Sequence, residues 1–320
     1  MPRKLVTVNP ALDDHHMEQI RAAAEKNGFE TLFFREDAAA LPHLADAEVI
    51  FGQSGLLAKN SPRLRWLCTP SAGVDQFLTP GIFASPDAVL TNSSGAYGVT
   101  IAEHIVMLAL EILRCQMDYS AIVRRREWVR DLPVRSIKGS RVTLLGTGDI
   151  GQETALRLRS FGPAWLAGVN RGGKNPRNLF DRVMQQSQLD TILSETDILV
   201  ISLPGTREAR HMLDARRLAL LPDHALVINV GRGSVIDQKA LEAELRAKRL
   251  YAALDVFEQE PLPVGDPLWD CPNLLISPHV AGNMTLPYTK DRIVALFLED
   301  FENYCAGRPL IRRVDLKKGY

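Results

Sequence analysis

Val142-Thr-Leu-Leu-Gly146-Thr-Gly148-Asp-Ile-Gly151 decides how this chain is read. An apolar, β-branched run enters three glycines spaced G-x-G-x-x-G, and a helical pattern follows with Ile150, Ala155, Leu158 and Phe161 on one side. Each glycine has its own physical task. Gly146 permits a tight turn, Gly148 lets the backbone approach a pyrophosphate, and Gly151 lets helix and strand pack closely. The helix start at Asp149 and Ile150 then offers unpaired N–H groups and a positive dipole end to phosphates, with Thr147 in the loop between. A glycine triplet alone also suits a surface turn. The strand before it and the helix after it favour a dinucleotide site. The motif begins in mid-chain, so the residues ahead of it need their own explanation.

At 320 residues the chain exceeds the usual single-domain size, and 46% hydrophobic content supports two sizeable cores. The 38 basic and 38 acidic residues cancel, which argues against a nucleic-acid partner. The one notable basic run, Arg124-Arg125-Arg126, is followed by Glu127 and reads as a solvated helix face. Cys68, Cys115, Cys271 and Cys305 are far apart and form no C-x-x-C. They read as reduced thiols, with no zinc or disulfide framework. Met1-Pro-Arg-Lys runs straight into the strand pattern Leu5–Val8, so no signal peptide is expected. No uncharged apolar run reaches membrane-spanning length. A soluble, cytoplasmic protein without a membrane or nucleic-acid partner is the expectation.

Working outward, short apolar strands at Leu5–Val8, Thr31–Phe34, Val49–Phe51, Leu64–Cys68 and Val89–Leu90 alternate with helical stretches such as His16–Lys26. That alternation predicts a parallel, doubly wound sheet. Ile101–Met117 is apolar nearly all round and reads as a buried crossover helix between two domains, lying in a subunit interface. After the glycine loop come Trp165–Val169, Ile198–Leu203, Leu226–Val230, Ala252–Val256 and Leu274–Ser277, which with the Gly146 strand predict a second sheet of six strands. Asp237–Ala247 and Thr289–Cys305 read as helices, the last returning to the first domain. The expected domains are 1–97 with 284–320, and 98–283.

Ligands of open α/β sheets bind beyond the carboxyl ends of strands, and several polar residues fall there. Arg232, in Asn229-Val-Gly-Arg232-Gly, suits a planar carboxylate because its fork makes two parallel charge-assisted hydrogen bonds. The blander alternative is a loop arginine that caps the neighbouring helix. Asp255 closes an apolar run and needs a partner. His279 follows Ser277-Pro278 at the last strand end. Alone it suits a structural histidine; beside a carboxylate and an arginine it suits proton transfer, since a carboxylate partner orients an imidazole and favours its charged form.

The order glycine loop, Asn229-Val-Gly-Arg232-Gly, Leu254-Asp255-Val-Phe-Glu-Gln-Glu260-Pro261 and Ser277-Pro-His279-Val-Ala-Gly282 resembles the D-isomer-specific 2-hydroxyacid dehydrogenases. The likeness extends to Ser71-Ala72-Gly73-Val74-Asp75, Asn92-Ser-Ser-Gly95-Ala-Tyr97 and Ala102-Glu103-His104, and so covers nearly the whole chain. It implies a Rossmann cofactor domain inserted in a flavodoxin-like substrate domain, with a cleft between them. It also implies residue roles. Arg232 would hold the substrate carboxylate and keto oxygen, His279 would exchange a proton with that oxygen, and Glu260, which immediately precedes proline, would orient His279. Asp255 would bind the nicotinamide carboxamide, and the backbone at Ala72 and Gly73 would anchor the carboxylate. Further cofactor contacts would come from Leu203, Pro204 and Thr206 after one strand, Val230 and Gly231 after the next, and Ala281 and Gly282 after the last.

An NAD site places an acid about 20 residues beyond the glycine loop to hold the ribose 2′-hydroxyl. Here Asn170 stands 19 residues after Gly151, with Arg171 next and Lys174 close by. A 2′-phosphate would be attracted there, so NADP is the expected cofactor; the alternative is an NAD enzyme on which this basic loop is simply solvent-exposed. Only small residues surround Gly73, which points to glyoxylate or hydroxypyruvate as substrate and to a glyoxylate/hydroxypyruvate reductase-like homodimer. Trp128 either packs on its own chain or reaches a neighbouring subunit. The alternatives are a short 3-phosphoglycerate dehydrogenase-like enzyme, a formate dehydrogenase relative, which would carry glutamine at Glu260, and an NAD(H)-sensing corepressor-like binding protein.

Overall fold

The computed structural model describes residues 3–319. The outermost limits of the expected domains, residues 1, 2 and 320, lie outside the described residues. Two units are present, Met1–Tyr97 with Asn283–Tyr320, and Gly98–Gly282. The first holds strands β1 (Arg3–Val8), β2 (Phe29–Phe34), β3 (Val49–Gly52), β4 (Trp66–Cys68) and β5 (Val89–Thr91). They pair in the order β2-β1-β3-β4-β5, all parallel, the flavodoxin-like arrangement. The helix Pro287–Cys305 belongs to this unit. It stacks Phe297 on Phe51 and Trp66, with ring centroids 4.3 and 5.3 Å apart, and sets Phe301 edge-on to Phe29 at 5.1 Å.

The second unit holds β6 (Arg141–Leu145), β7 (Trp165–Asn170), β8 (Arg182–Gln185), β9 (Ile198–Ile201), β10 (Leu226–Asn229), β11 (Tyr251–Leu254) and β12 (Leu274–Ile276). Their order is β12-β11-β10-β9-β6-β7-β8, all parallel. Relative to the first of them this reads 3-2-1-4-5-6, the Rossmann order, with a seventh strand added beyond. Helices shield such a sheet on both faces, which is why Ile198-Leu-Val-Ile201 and Leu226-Val-Ile228 are continuous apolar runs with every residue buried.

Two expectations need correction. The sheet has seven described strands rather than six, because Arg182-Val-Met-Gln185 pairs along β7 at the sheet edge. An edge strand with exposed ends needs no apolar run, so pattern alone misses it. The helix read as Ile101–Met117 is two helices, Gly98–Leu113 and Gln116–Arg124. Cys115 between them has φ +55°, a left-handed conformation that no glycine or proline announces. The first of these helices packs on the helix Asp149–Arg159 and on β10 and β11, within its own unit.

Candidate active site

Strand register gathers the chemistry into one row. Val169, Leu145, Ile201, Asn229, Leu254 and Ile276 are paired neighbour to neighbour across the second sheet. All strands run the same way, so the next residue of each lies on one edge: Asn170, which ends β7, and Gly146, Ser202, Val230, Asp255 and Ser277, which open loops. Adjacent loops start about 4.8 Å apart. The order reverses between β6 and β9, and the glycine loop sits at that switch point, where open α/β sheets take ligands.

The glycine loop has the shape of a phosphate cradle. Gly146 adopts φ +107°, and a Cβ there would press to 2.8 Å from the Ser202 hydroxyl. A Cβ on Gly151 would overlap the Gly146 carbonyl oxygen, so helix and strand could not approach with any other residue. Around Gly148 a Cβ would meet nothing within 4 Å, which leaves the backbone open on the side a pyrophosphate would use. Gly148 is the N-cap of the helix Asp149–Arg159 and offers no side-chain cap to its amides, so a phosphate can take them. The carboxylate of Asp149 lies against Gly98 at the start of the helix Gly98–Leu113; a Cβ on Gly98 would lie 2.5 Å from it. These residues fit a bound dinucleotide.

Leu203, Pro204 and Thr206 continue beyond β9. A Cβ on Gly231 would come within 2.5 Å of the Leu203 carbonyl oxygen, so the loops after β9 and β10 lie backbone to backbone. Thr206 caps its own turn, accepting from Ala209 N at 3.3 Å. Asn170 donates from Nδ2 to Thr147 Oγ1 and to the Lys174 carbonyl, both at 2.8 Å. The position that carries an acid in NAD sites thus holds a neutral amide tied to the glycine loop, with exposed Arg171 and Lys174 beside it.

Three neighbouring strands supply the polar cluster. His279 Nδ1 lies 2.7 Å from Glu260 Oε2, and Glu260 Oε1 accepts from the Phe257 amide at 2.9 Å. An ionised carboxylate only accepts, so this pairing puts the proton on Nδ1 and leaves Nε2 for a reacting oxygen. The His279 side chain is half exposed, as a group that meets substrate requires. The other acid of this loop, Glu258, is engaged elsewhere, with His211 Nε2 at 2.9 Å and the Gln238 amide at 3.1 Å. Arg232 follows β10, half-buried, with Nη1 donating to the Gly231 carbonyl at 2.8 Å. Its neighbour Gly233 packs directly on the Phe257–Glu258 backbone, where a Cβ would overlap the Phe257 carbonyl. The Arg232 loop therefore abuts the loop that carries Glu260.

Asp255 is 1% exposed, and the structure satisfies it fully. Oδ1 accepts from the Ser277 hydroxyl at 2.6 Å and the Val280 amide at 2.9 Å, and Oδ2 accepts from the Ala281 amide at 3.0 Å. Its backbone carbonyl also takes the His279 amide at 2.9 Å. Four donors from residues 277–281 close on one aspartate and hold His279 at φ +54°, a conformation that costs a non-glycine residue about 1–2 kcal/mol. Sequence reasoning gave Ser277 no role. Its place level with Asp255, one residue beyond the Leu254–Ile276 pair, comes from strand register and not from any local pattern.

Ala72 and Gly73 lie in the first unit, in the loop after β4. The Ala72 carbonyl accepts from Asn92 Nδ2 at 2.8 Å and the Gly73 carbonyl from the Ser71 hydroxyl at 2.7 Å. Trp128 does not pack on its own chain, being 89% exposed. All four cysteines are free thiols, Cys68 and Cys271 buried. Among the described residues no helix is long and apolar enough to cross a membrane.

Residues 106–281 match the family model for the D-isomer specific 2-hydroxyacid dehydrogenase NAD binding domain. Glyoxylate/hydroxypyruvate reductase B of Pectobacterium carotovorum is 33% identical over 251 residues, 75% of this chain and 78% of that protein. A D-isomer specific 2-hydroxyacid dehydrogenase family protein from Aeromonas salmonicida superposes with a TM-score of 0.87 at 31% identity, over 99% of this chain and all of that one. An NADPH-dependent glyoxylate/hydroxypyruvate reductase from Sinorhizobium meliloti, solved with NADP and sulfate, gives 0.82 at 27% identity, over 99% of this chain and all of that one. The chain belongs to the D-isomer specific 2-hydroxyacid dehydrogenase family and is an oxidoreductase built on a nicotinamide-cofactor domain.

Proposed function

We propose that the protein reduces a small 2-oxo acid, of the glyoxylate or hydroxypyruvate type, to a D-2-hydroxy acid with NADPH as the preferred cofactor. The observation that carries this reading is the 2.7 Å His279–Glu260 pair beside the Arg232 loop on adjoining strand ends. A bound reduced nicotinamide supplies the hydride. His279, as the imidazolium with a proton on each nitrogen, donates from Nε2 to the keto oxygen and is left neutral, while Glu260 holds the ring by Nδ1. Arg232 clamps the substrate carboxylate and polarises the carbonyl. Ala281, fixed by Asp255, and Gly282 after it would line the cofactor side of the same turn.

Replacing Glu260 with glutamine tests the orienting role. Glu260 accepts on both oxygens, from Phe257 N and His279 Nδ1. An amide can accept at one end only, so one donor would face an NH2 group. Steady-state kinetics of Glu260→Gln are expected to show kcat lower by about 10- to 100-fold, the range for a disturbed general acid, with NADPH binding retained. Unchanged kcat would remove Glu260 from the mechanism.

The preference for NADPH rests on Asn170 and its basic neighbours, and the Sinorhizobium reductase with bound NADP supports it. Arg171→Ala is expected to weaken NADPH about tenfold or more, the scale of one charge-assisted phosphate contact, and to leave NADH nearly unchanged. Fluorescence titration with both cofactors reads the difference, and equal losses would cancel the 2′-phosphate argument. We also infer a cytoplasmic homodimer. The unpacked Trp128 on the exposed segment after Arg124 suits a subunit contact, and the free thiols suit a reducing compartment.

Initial rates for a panel of 2-oxo acids with each cofactor test the whole reading. Faster NADPH oxidation with glyoxylate or hydroxypyruvate than with bulkier acids is the expected result. Oxidation of neither cofactor by any acid would move a dinucleotide-sensing binding protein ahead.

A further inference from the structure

His104 stands outside the mechanism above, yet it reaches the turn that carries His279. It lies on the helix Gly98–Leu113 with its side chain 14% exposed. Its Nε2 is 3.1 Å from Ser277 Oγ and 3.7 Å from Asp255 Oδ1. The direction of these bonds follows from donor and acceptor capacity. Asp255, with three donors aimed at its carboxylate, accepts at every contact. Ser277 therefore commits its single hydroxyl proton to Asp255, and its oxygen accepts from His104 Nε2–H. Burial holds the His104 imidazole below its usual range, against the opposing pull of Asp255 and Glu111, which keeps it the neutral donor this chain of bonds needs.

We propose that His104 is a positioning residue for the proton donor: the hydrogen-bonded series His104, Ser277, Asp255 fixes the Ser277–Ala281 turn in which His279 is held left-handed. The proposal rests on His279 being the proton donor. Every bond in the series lies within one unit. A buried polar network stabilises one arrangement only when each member is satisfied. Removing the His104 N–H leaves Ser277 Oγ short of a donor and frees the serine to leave Asp255.

The test uses His104→Phe, His104→Gln and Ser277→Ala, with two readouts. In His104→Phe, kcat is expected to fall about tenfold, the size of one buried hydrogen bond, while the NADPH dissociation constant stays near wild type. Native-state hydrogen exchange at the His279, Val280 and Ala281 amides is expected to quicken by about the same factor, with β9 and β10 unchanged. His104→Gln, which restores an N–H donor, is expected to recover most of both. Ser277→Ala is expected to match His104→Phe, and the double variant to be no worse than either, as members of one network behave. Wild-type kcat or wild-type exchange in His104→Phe would overturn the proposal. So would equal damage in His104→Gln, or exchange quickened throughout the unit. Should His104→Phe fail to fold, Ser277→Ala and His104→Gln still decide. If the wild-type protein reduced no 2-oxo acid, the functional reading would fail on its own, and the exchange pattern would still show whether His104 holds the turn.

Discussion

His279→Ala is expected to lower kcat by about 10²- to 10⁴-fold, the usual contribution of a positioned general acid, with NADPH affinity nearly unchanged. The geometry separates the two effects. The imidazole is tied to Glu260 at 2.7 Å, whereas the backbone that shapes this turn is tied to Asp255 through the amides of residues 279, 280 and 281. Alanine removes the proton source and leaves those three amide bonds intact. Single-turnover absorbance of NADPH reports the chemical step directly, and equilibrium titration reports the cofactor. A kcat within threefold of wild type would exclude His279 as the proton donor.

Arg232→Lys is the second large effect. An ammonium keeps the charge but not the fork, and a carboxylate clamp uses two parallel N–H groups. About 10²-fold or more is expected to be lost from kcat/KM, as for truncating a charged hydrogen-bonding partner. Substrate saturation should weaken visibly while NADPH binding persists. The loop is not expected to collapse, because Gly231 and Gly233 make its close backbone contacts, against Leu203 and Phe257. Unchanged kinetics for Arg232→Lys across the substrate panel would remove the arginine from the site.

The fold was readable because its central strands are continuous apolar runs followed by turn residues, as in Ile198–Ile201 before Ser202-Leu203-Pro204. What escaped notice carries no such signature. Arg182–Gln185 has only Val183 and Met184 between two exposed polar ends, because an edge strand needs little burial, and the break at Cys115 depends on a backbone angle that its sequence leaves unmarked. At the site, the glycine loop and the strand-end positions of Arg232, Glu260 and His279 could be read from spacing. The choice of Glu260 over Glu258 came from the resemblance, and the structure gives it a physical content: only Glu260 meets His279, while Glu258 meets His211. The partners of Asp255 were beyond reach, since Ser277 and His104 meet it through strand register and helix packing rather than through any local pattern.

A crystal structure of the protein with NADPH and oxamate, an unreactive mimic of a 2-oxo acid, would show whether Arg232, His279 and Glu260 meet one substrate. The oxamate carboxylate is expected in the fork of Arg232 and its carbonyl oxygen about 3 Å from His279 Nε2, with Glu260 still on Nδ1. Oxamate bound away from both side chains, or His279 turned off Glu260 in the complex, would contradict it.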